Sequence, residues 1–279
     1  MLGNEKEWGL QYSPYMHYPE HCIFMSREEE PMDTSVDTVK NLMAIADQFP
    51  HYFVGANAGL PIIGGSILKH NHYQGGRYVF PIESAEVRKT FTFNEFPDVS
   101  TQLLERPMTA FRLESNSADS ILKIAEQFFI VWKNYTDESV HIYSETDGEF
   151  HNAITSIVRK NKDTYHLYLI LRNNRTTNDF PDGIFHANPS PQHRKKENIG
   201  RIEAMGLAIL PPRLDRELKE VSDFIINHST EIPKKHREWA QELKVKHPNL
   251  SKHSVNECIQ QEVGNLFVQI LKDAGVFKL

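Results

Sequence analysis

The feature that most constrains this chain is the stretch of residues 60–76, in which a short polar segment lies between two glycine pairs. Two histidines and a glutamine alternate within it: His70, His72 and Gln74. Because successive side chains of a β-strand point to opposite faces, a strand here would place all three on one face. The glycine pair on each side keeps the backbone free of bulk, so its N–H groups can approach an anion closely. The segment therefore predicts a strand beside an anion-binding loop.

An imidazole beside backbone that binds anions suits nucleophilic phosphoryl transfer. Neutral imidazole is a nucleophile near pH 7, because its unperturbed pKa is about 6.5. A phosphoryl-histidine intermediate divides one difficult transfer into two easier ones. Alternating histidines also occur in ordinary surface strands, and the spacing alone leaves that alternative open.

Composition narrows the class of protein. A length of 279 residues favours about two domains or lobes. The net charge of −6 argues against a nucleic-acid partner. Two cysteines supply neither a disulfide framework nor a C-x-x-C metal motif, so a reducing, cytoplasmic location is expected. No apolar run approaches the roughly 18 residues of a membrane span, so no membrane partner is expected.

Hydrophobic periodicity predicts helices at 34–49 and 118–135, and further helices after residue 211. Thr34 and Asp37 resemble a capping box at the start of the first helix. Strands are predicted at 21–25, 52–57, 78–80, 91–96, 108–113 and 165–171, and a hairpin of 140–144 with 149–158 turns at residues 146–148. Strand, helix and further strands thus occur twice, which indicates two lobes of similar α+β design.

Two motifs carry a resemblance to a known family. The run Leu-Pro-Ile-Ile-Gly-Gly-Ser-Ile-Leu-Lys-His-Asn-His-Tyr-Gln-Gly-Gly at 60–76 resembles the active-site segment of galactose-1-phosphate uridylyltransferases of the second, bacterial class. Lys-Lys-Glu-Asn-Ile-Gly-Arg-Ile-Glu-Ala-Met-Gly-Leu at 195–207 is similar to another motif of that class, with Arg201 where an apolar residue is more usual. The wider relatives are the histidine-triad nucleotide-binding proteins.

The resemblance implies an α+β fold of two histidine-triad-like lobes, with antiparallel sheets flanked by helices and helices at the C-terminal end. Residues 1–90 would form a partial first lobe carrying the active-site histidine, 91–214 the second lobe, and 215–279 a C-terminal helical segment. Family members have a further portion before the position of Trp8. The chain on its own is therefore expected to be a weak or inactive enzyme.

The activity implied is transfer of a uridylyl group from UDP-glucose to galactose 1-phosphate through a covalent uridylyl-histidine. His72 would be the nucleophile, and Gln74 would bind the phosphoryl oxygens. The other substrate-binding residues implied are Asn57, Gly65, Ser66, Lys196 and Glu203. A homodimer is also expected.

Metal binding is a separate expectation. The first class of the family binds zinc or iron, and the matching residues here are His70, His151 and His186. Asn188 stands in place of the second histidine of a His-x-His pair, which weighs against a metal in the second lobe, so no cofactor is certain and zinc or iron stays open. Either Glu83 or Glu86 could match a metal-binding glutamate of the first class, but we expect solvated carboxylates at both positions.

Two other functions stay open at this stage. A histidine-triad-type nucleotide hydrolase would use the same His72 but release its product to water. A non-catalytic fragment that binds a nucleotide or sugar phosphate would bind without turnover. Net hydrolysis, exchange and binding without reaction distinguish the three.

Overall fold

The computed structural model describes residues 7–64, 67–187 and 199–277. Its strands are β1 (Trp8–Tyr12), β2 (Cys22–Ser26), β3 (Phe53–Ala56), β4 (His72–Gly76), β5 (Val87–Phe93), β6 (Phe96–Leu104), β7 (Ala110–Ser115), β8 (Glu145–Thr146), β9 (Glu149–Phe150), β10 (Asn152–Asn161) and β11 (Thr164–Asn173). Its helices are α1 (Val36–Gln48), α2 (Ala118–Lys133), α3 (Arg201–Ala204), α4 (Arg213–Ile225), α5 (Lys234–Lys246) and α6 (Val255–Ala274).

Nine of these strands form one sheet in the order β1-β2-β4-β3-β10-β11-β7-β6-β5. Every neighbouring pair is antiparallel. The pairing of β3 with β10 joins strands from the two halves of the sequence into a continuous ladder. The division into lobes at residues 90 and 214 stays a prediction.

One face of the sheet is covered by α1 and α2, which also pack against each other. The apolar stripe of each helix meets side chains such as Val54, Tyr73 and Leu167 in a single buried cluster. Burial of this apolar surface is the main force that holds the helices on the sheet. These two helices leave the opposite face free for other elements.

The opposite face carries the candidate site. Phe53, Ile157 and Tyr168 from the sheet are buried there with Met205 after α3 and Leu271 of α6. The register sets Ile157 beside Tyr168 and also beside the glycine at the centre of β3. The segment around α3 is thereby packed against β3 and β4, where the polar segment of the sequence lies.

A third cluster joins the C-terminal helices. Val221 of α4, Ala240 and Leu243 of α5, and Ile259 of α6 bury one another. His236 Nε2 lies 2.9 Å from the Glu217 carboxylate in the same region. Within the described ranges, no helix has the length and apolar character that a membrane crossing requires.

The predicted α+β class, with antiparallel strands flanked by helices, is confirmed. Three local predictions are wrong. The strand predicted at 91–96 crosses a turn, because β5 ends at Phe93 and β6 begins at Phe96. The side chain that caps α1 is Ser35, which accepts from the Asp37 N–H, rather than Thr34. Residues 78–80 do not continue the sheet: β4 ends at Gly76, and Phe80 turns inward to be buried before a 3-10 turn.

The predicted hairpin is shorter than expected. Its turn lies at Asp147 and Gly148, both with positive φ, as an asparagine- or aspartate-glycine turn favours. Residues 140–144 form no strand, because the chain makes a 3-10 turn over Glu138–Val140. The strand predicted at 149–158 is divided into β9 and the long, buried β10.

Candidate active site

His72 is the first residue of β4, which lies between β2 and β3 in the sheet. Its side chain is buried, with 4% exposed. The ring atom Nδ1 lies 2.9 Å from the backbone oxygen of His70. Because a carbonyl oxygen can only accept, this bond assigns the proton to Nδ1 and leaves the lone pair on Nε2. The geometry therefore presents His72 Nε2 as the nucleophilic atom.

The charge state of His72 fits that role. Burial, the largest effect, lowers its pKa below the ordinary value. The backbone hydrogen bond to His70 raises the pKa by less than burial lowers it, and the positive charge of Arg201 adds a smaller lowering. The imidazole is consequently neutral near pH 7, as a nucleophile must be.

Gln74 follows two residues later on β4, so its side chain shares a face with that of His72. Its side-chain oxygen accepts a 2.6 Å hydrogen bond from Arg201 Nη2 and lies 3.3 Å from His21 Nε2. Within the described part of the chain, both polar contacts of this side chain go to Oε1. The amide nitrogen is left to serve a ligand.

Arg201, at the start of α3, makes hydrogen bonds to both β3 and β4 at the site. It is 2% exposed, and its Nη1 donates to the backbone oxygens of Gly55 at 2.8 Å and Gln74 at 2.9 Å. Gly55 and Gln74 are partners in the β3–β4 ladder. A Cβ on Gly55 would lie 2.9 Å from both Arg201 Cδ and Nη1, so only glycine leaves room for the guanidinium.

The predicted common face of three polar residues holds for two of them. β4 begins at His72, so His70 precedes the strand. His70 Nε2 lies 2.6 Å from the backbone oxygen of Ser26, the last residue of β2. His70 is therefore tied to the neighbouring strand, and its backbone oxygen, rather than its ring, contacts His72.

The glycine-rich loop approaches the segment before α3. Gly64 has a φ of +112°, and a Cβ there would lie 3.0 Å from Gly200 Cα and 3.2 Å from the Ile199 oxygen. Side chains larger than glycine are excluded by both the conformation and the contact. Three predicted substrate-binding residues, Gly65, Ser66 and Lys196, lie outside the described residues.

Two further predicted binding residues are placed near the site. Asn57 is buried directly after β3, and continuing the β3–β4 register by two residues sets it opposite His72. Glu203 is buried in α3, where its Oε2 accepts a 2.9 Å hydrogen bond from the Gly200 N–H. That bond caps α3 and holds the turn that carries Arg201.

The predicted metal ligands are engaged elsewhere. His151 Nδ1 lies 3.1 Å from Asn174 Oδ1 and its Nε2 contacts Thr146, while His186 Nδ1 lies 3.3 Å from the Ala187 oxygen. Across the described ranges, no three His, Cys, Asp or Glu side chains come together as a metal site. Among the described residues these histidines therefore assemble no zinc centre, which would need three or four protein ligands. Ligand roles for the three predicted histidines stay predictions.

The environment of Glu83 differs from the expected one. Glu83 is not a solvated carboxylate: its Oε2 pairs with Arg159 Nε at 2.5 Å, and the two side chains are 12% and 10% exposed. Its Oε1 accepts from the Phe80 N–H at 2.9 Å. Glu83 is therefore a structural residue that holds the turn after β4.

Comparison with known proteins agrees with the resemblance seen in the sequence. The family model for the galactose-1-phosphate uridyl transferase C-terminal domain matches residues 45–241. The galactose-1-phosphate uridylyltransferase of Streptococcus mutans serotype c is 47% identical over 277 residues, which cover 99% of this chain and 56% of the relative. The enzyme of the same name from Ligilactobacillus salivarius is 46% identical over 275 residues, with 56% of it covered.

Among solved structures, yeast Ap4A phosphorylase Apa2 is similar to this chain with a TM-score of 0.49 and 14% identity, covering 77% of this chain and 70% of that one. The chain spans a little over half the length of the curated relatives it matches. The family model covers well over half of the chain. The chain therefore belongs to the galactose-1-phosphate uridyl transferase family, whose C-terminal domain it contains.

Proposed function

We propose that this chain carries the nucleophilic histidine of a uridylyltransferase that exchanges UDP-glucose and galactose 1-phosphate for glucose 1-phosphate and UDP-galactose. The observation that carries the proposal is the hydrogen bond from His72 Nδ1 to the His70 oxygen, because it leaves Nε2 unprotonated in a buried site. Family membership and the names of the relatives support the choice of substrates.

In the first step, His72 Nε2 would attack the α-phosphorus of UDP-glucose. A P–N bond forms, the bond from that phosphorus to the bridging oxygen breaks, and glucose 1-phosphate leaves with the electron pair. No proton has to move, because Nδ1 keeps its hydrogen throughout. The imidazolium character that develops is stabilised by the His70 carbonyl, since a hydrogen bond from a charged donor is the stronger one.

In the second step, a phosphate oxygen of galactose 1-phosphate would attack the same phosphorus. The P–N bond breaks, UDP-galactose forms, and His72 returns to the neutral state with its proton still on Nδ1. The two half-reactions are chemically alike, so one set of groups can serve both.

Negative charge on the transferred phosphoryl group needs donors that are already in place. The Gln74 amide nitrogen is one candidate donor among the described residues, because its oxygen is occupied by Arg201. Gly65, Ser66 and Asn57 would add donors around the phosphates. Lys196 would hold the hexose phosphate and Glu203 the sugar hydroxyls. These five assignments stay predictions, as do the homodimer and the cytoplasmic location.

The test is a single-turnover labelling experiment. The chain is incubated with UDP-glucose until labelling is complete, so that a slow enzyme is labelled as well as a fast one. It is then digested under alkaline conditions that preserve a phosphoramidate, and mapped by mass spectrometry. We expect one uridylyl group on the peptide that contains His72, and its loss as UDP-galactose when galactose 1-phosphate is added. His72→Asn should abolish the adduct.

His166→Asn is the matched control, because His166 lies on β11 of the same sheet and pairs with Glu114 instead. It should leave labelling unchanged. An adduct on His70, or one that survives His72→Asn, contradicts the assignment of the nucleophile. Release of the label as UMP at the same rate with and without galactose 1-phosphate would instead favour a hydrolase.

A further inference from the structure

The side-chain amide of Gln74 can face a ligand with its oxygen or with its nitrogen, and only the nitrogen can donate to a phosphate. Its neighbours decide between the two orientations. A guanidinium has five N–H donors and no acceptor, so the atom of Gln74 that lies 2.6 Å from Arg201 Nη2 must be the oxygen. The opposite orientation would place the Gln74 amide N–H groups against the N–H groups of Arg201, with no acceptor between them.

His21 cannot replace Arg201 in this role while it is neutral. Its Nδ1 lies 2.5 Å from the Tyr15 backbone oxygen, and its Nε2 faces the Gln74 oxygen at 3.3 Å. Both partners only accept, whereas a neutral imidazole has one N–H. The shorter contact takes that proton, which leaves Arg201 as the donor that defines the amide.

We propose that Arg201 is a positioning residue: it holds the Gln74 oxygen and thereby directs the Gln74 N–H groups toward the phosphoryl group at His72. The inference rests on the proposed uridylyl transfer. It assigns to this reaction a residue that lies 127 positions away from Gln74 in the sequence. Arg201 itself is buried on the same face of the sheet as Gln74 and acts through Gln74 rather than on the substrate.

A purely structural role for Arg201 has to be separated from this one, because its Nη1 also donates to the backbone oxygens of Gly55 and Gln74. The first measurement therefore does not depend on activity. The chain is labelled with ¹⁵N-glutamine, and the Gln74 side-chain signals are identified by their loss in Gln74→Glu. We expect shifted signals with restricted motion in the native chain.

In Arg201→Met, which keeps an apolar stem but removes every donor, those signals should move toward the values of exposed glutamines and show fast motion. Arg106→Met is the matched control. Arg106 is also largely buried and donates to a backbone oxygen of the same segment, that of Ala204 at 3.2 Å. It should leave the Gln74 signals unchanged. Unaltered Gln74 signals in Arg201→Met would overturn the proposal.

The second measurement is a double-mutant cycle on the rate of His72 labelling by UDP-glucose. Loss of one preorganised donor costs about 10²–10³-fold in rate. We expect Gln74→Ala and Arg201→Met each to fall in or near that range, and the double variant to be within about 3-fold of Gln74→Ala alone. Gln74→Glu should lose the rate while keeping the contact with Arg201.

Additive losses in the cycle would show that Arg201 does not act through Gln74 and would overturn the proposal. If the native chain forms no adduct, the proposed function fails, and the NMR comparison still decides whether Arg201 orients the amide. The two failures are therefore distinguishable.

Discussion

Gly55→Ala is the sharpest perturbation of the site, because one methyl group would meet three atoms. The added Cβ would lie 2.9 Å from Arg201 Cδ and Nη1 and 3.1 Å from Ile157 Cγ1. Arg201 cannot swing aside freely, since three oxygens hold its guanidinium. Overpacking of this kind costs about 1–3 kcal/mol. A lost hydrogen bond from a charged donor adds about 1.5–3 kcal/mol.

We therefore expect Gly55→Ala to lower the free energy of unfolding by about 2.5–6 kcal/mol, against a total of about 5–15 kcal/mol for an ordinary protein. Urea denaturation measures the change, provided that the m-value is unaltered. Gly264→Ala, in α6, is the matched control because a Cβ there meets nothing within 4 Å. It should be neutral or stabilise the helix by about 0.5–1 kcal/mol.

Combining Gly55→Ala with a substitution of Arg201 tests whether the clash with Arg201 causes the loss of stability. If the clash with Arg201 is responsible, Gly55→Ala should cost clearly less in an Arg201→Ala background, where the side chain in conflict is gone. An equal cost in both backgrounds would place the strain elsewhere. A cost below about 0.5 kcal/mol in the native background would refute the argument from packing.

Two further predictions concern charge. The rate of His72 labelling should fall as the pH drops through the pKa of His72, which lies below its ordinary 6.5, and should be level above that pKa. Stopped-time mass spectrometry from pH 5 to 8 checks this, and a midpoint above 6.5 would contradict the effects of burial and of the positive charge of Arg201. Glu83→Gln should lower the free energy of unfolding by about 3–5 kcal/mol, because it leaves Arg159 buried without a counter-charge. Urea denaturation measures the loss. The double variant Glu83→Gln, Arg159→Met should recover part of it.

The sequence predicts elements well where one face is buried. Periodic apolar residues indicated α1 and α2, and the structure confirms both within two residues at each end. β1 was not predicted, because it is an edge strand with four of its five residues exposed, so no alternation marks it. α5 was predicted only as part of the helical region after residue 211, without bounds of its own, since its buried residues are few and its surface is strongly charged.

The candidate site could be predicted only where its residues are close in sequence. The period of two placed His72 and Gln74 on one face, as the structure has them. Arg201 lies 127 residues from Gln74, and Arg159 lies 76 residues from Glu83. No local pattern reports such pairs, because the folded sheet creates them. One signal was present: a charged residue, Arg201, within an apolar context beside a glycine.

The contribution of Arg201 to the free energy of unfolding gives a final prediction. Its partners are neutral oxygens, and burial lowers its pKa, which shows that the charge is poorly compensated in the fold. Removing the guanidinium relieves that desolvation cost, but it also removes hydrogen bonds to three oxygens, each worth about 1.5–3 kcal/mol for a charged donor. Because the two effects oppose each other, Arg201→Met should lower the free energy of unfolding by about 1–3 kcal/mol, less than the sum of the three bonds, measured by urea denaturation. A loss above about 4.5 kcal/mol would mean that Arg201 chiefly holds β3 to β4, and that its place in this site is structural.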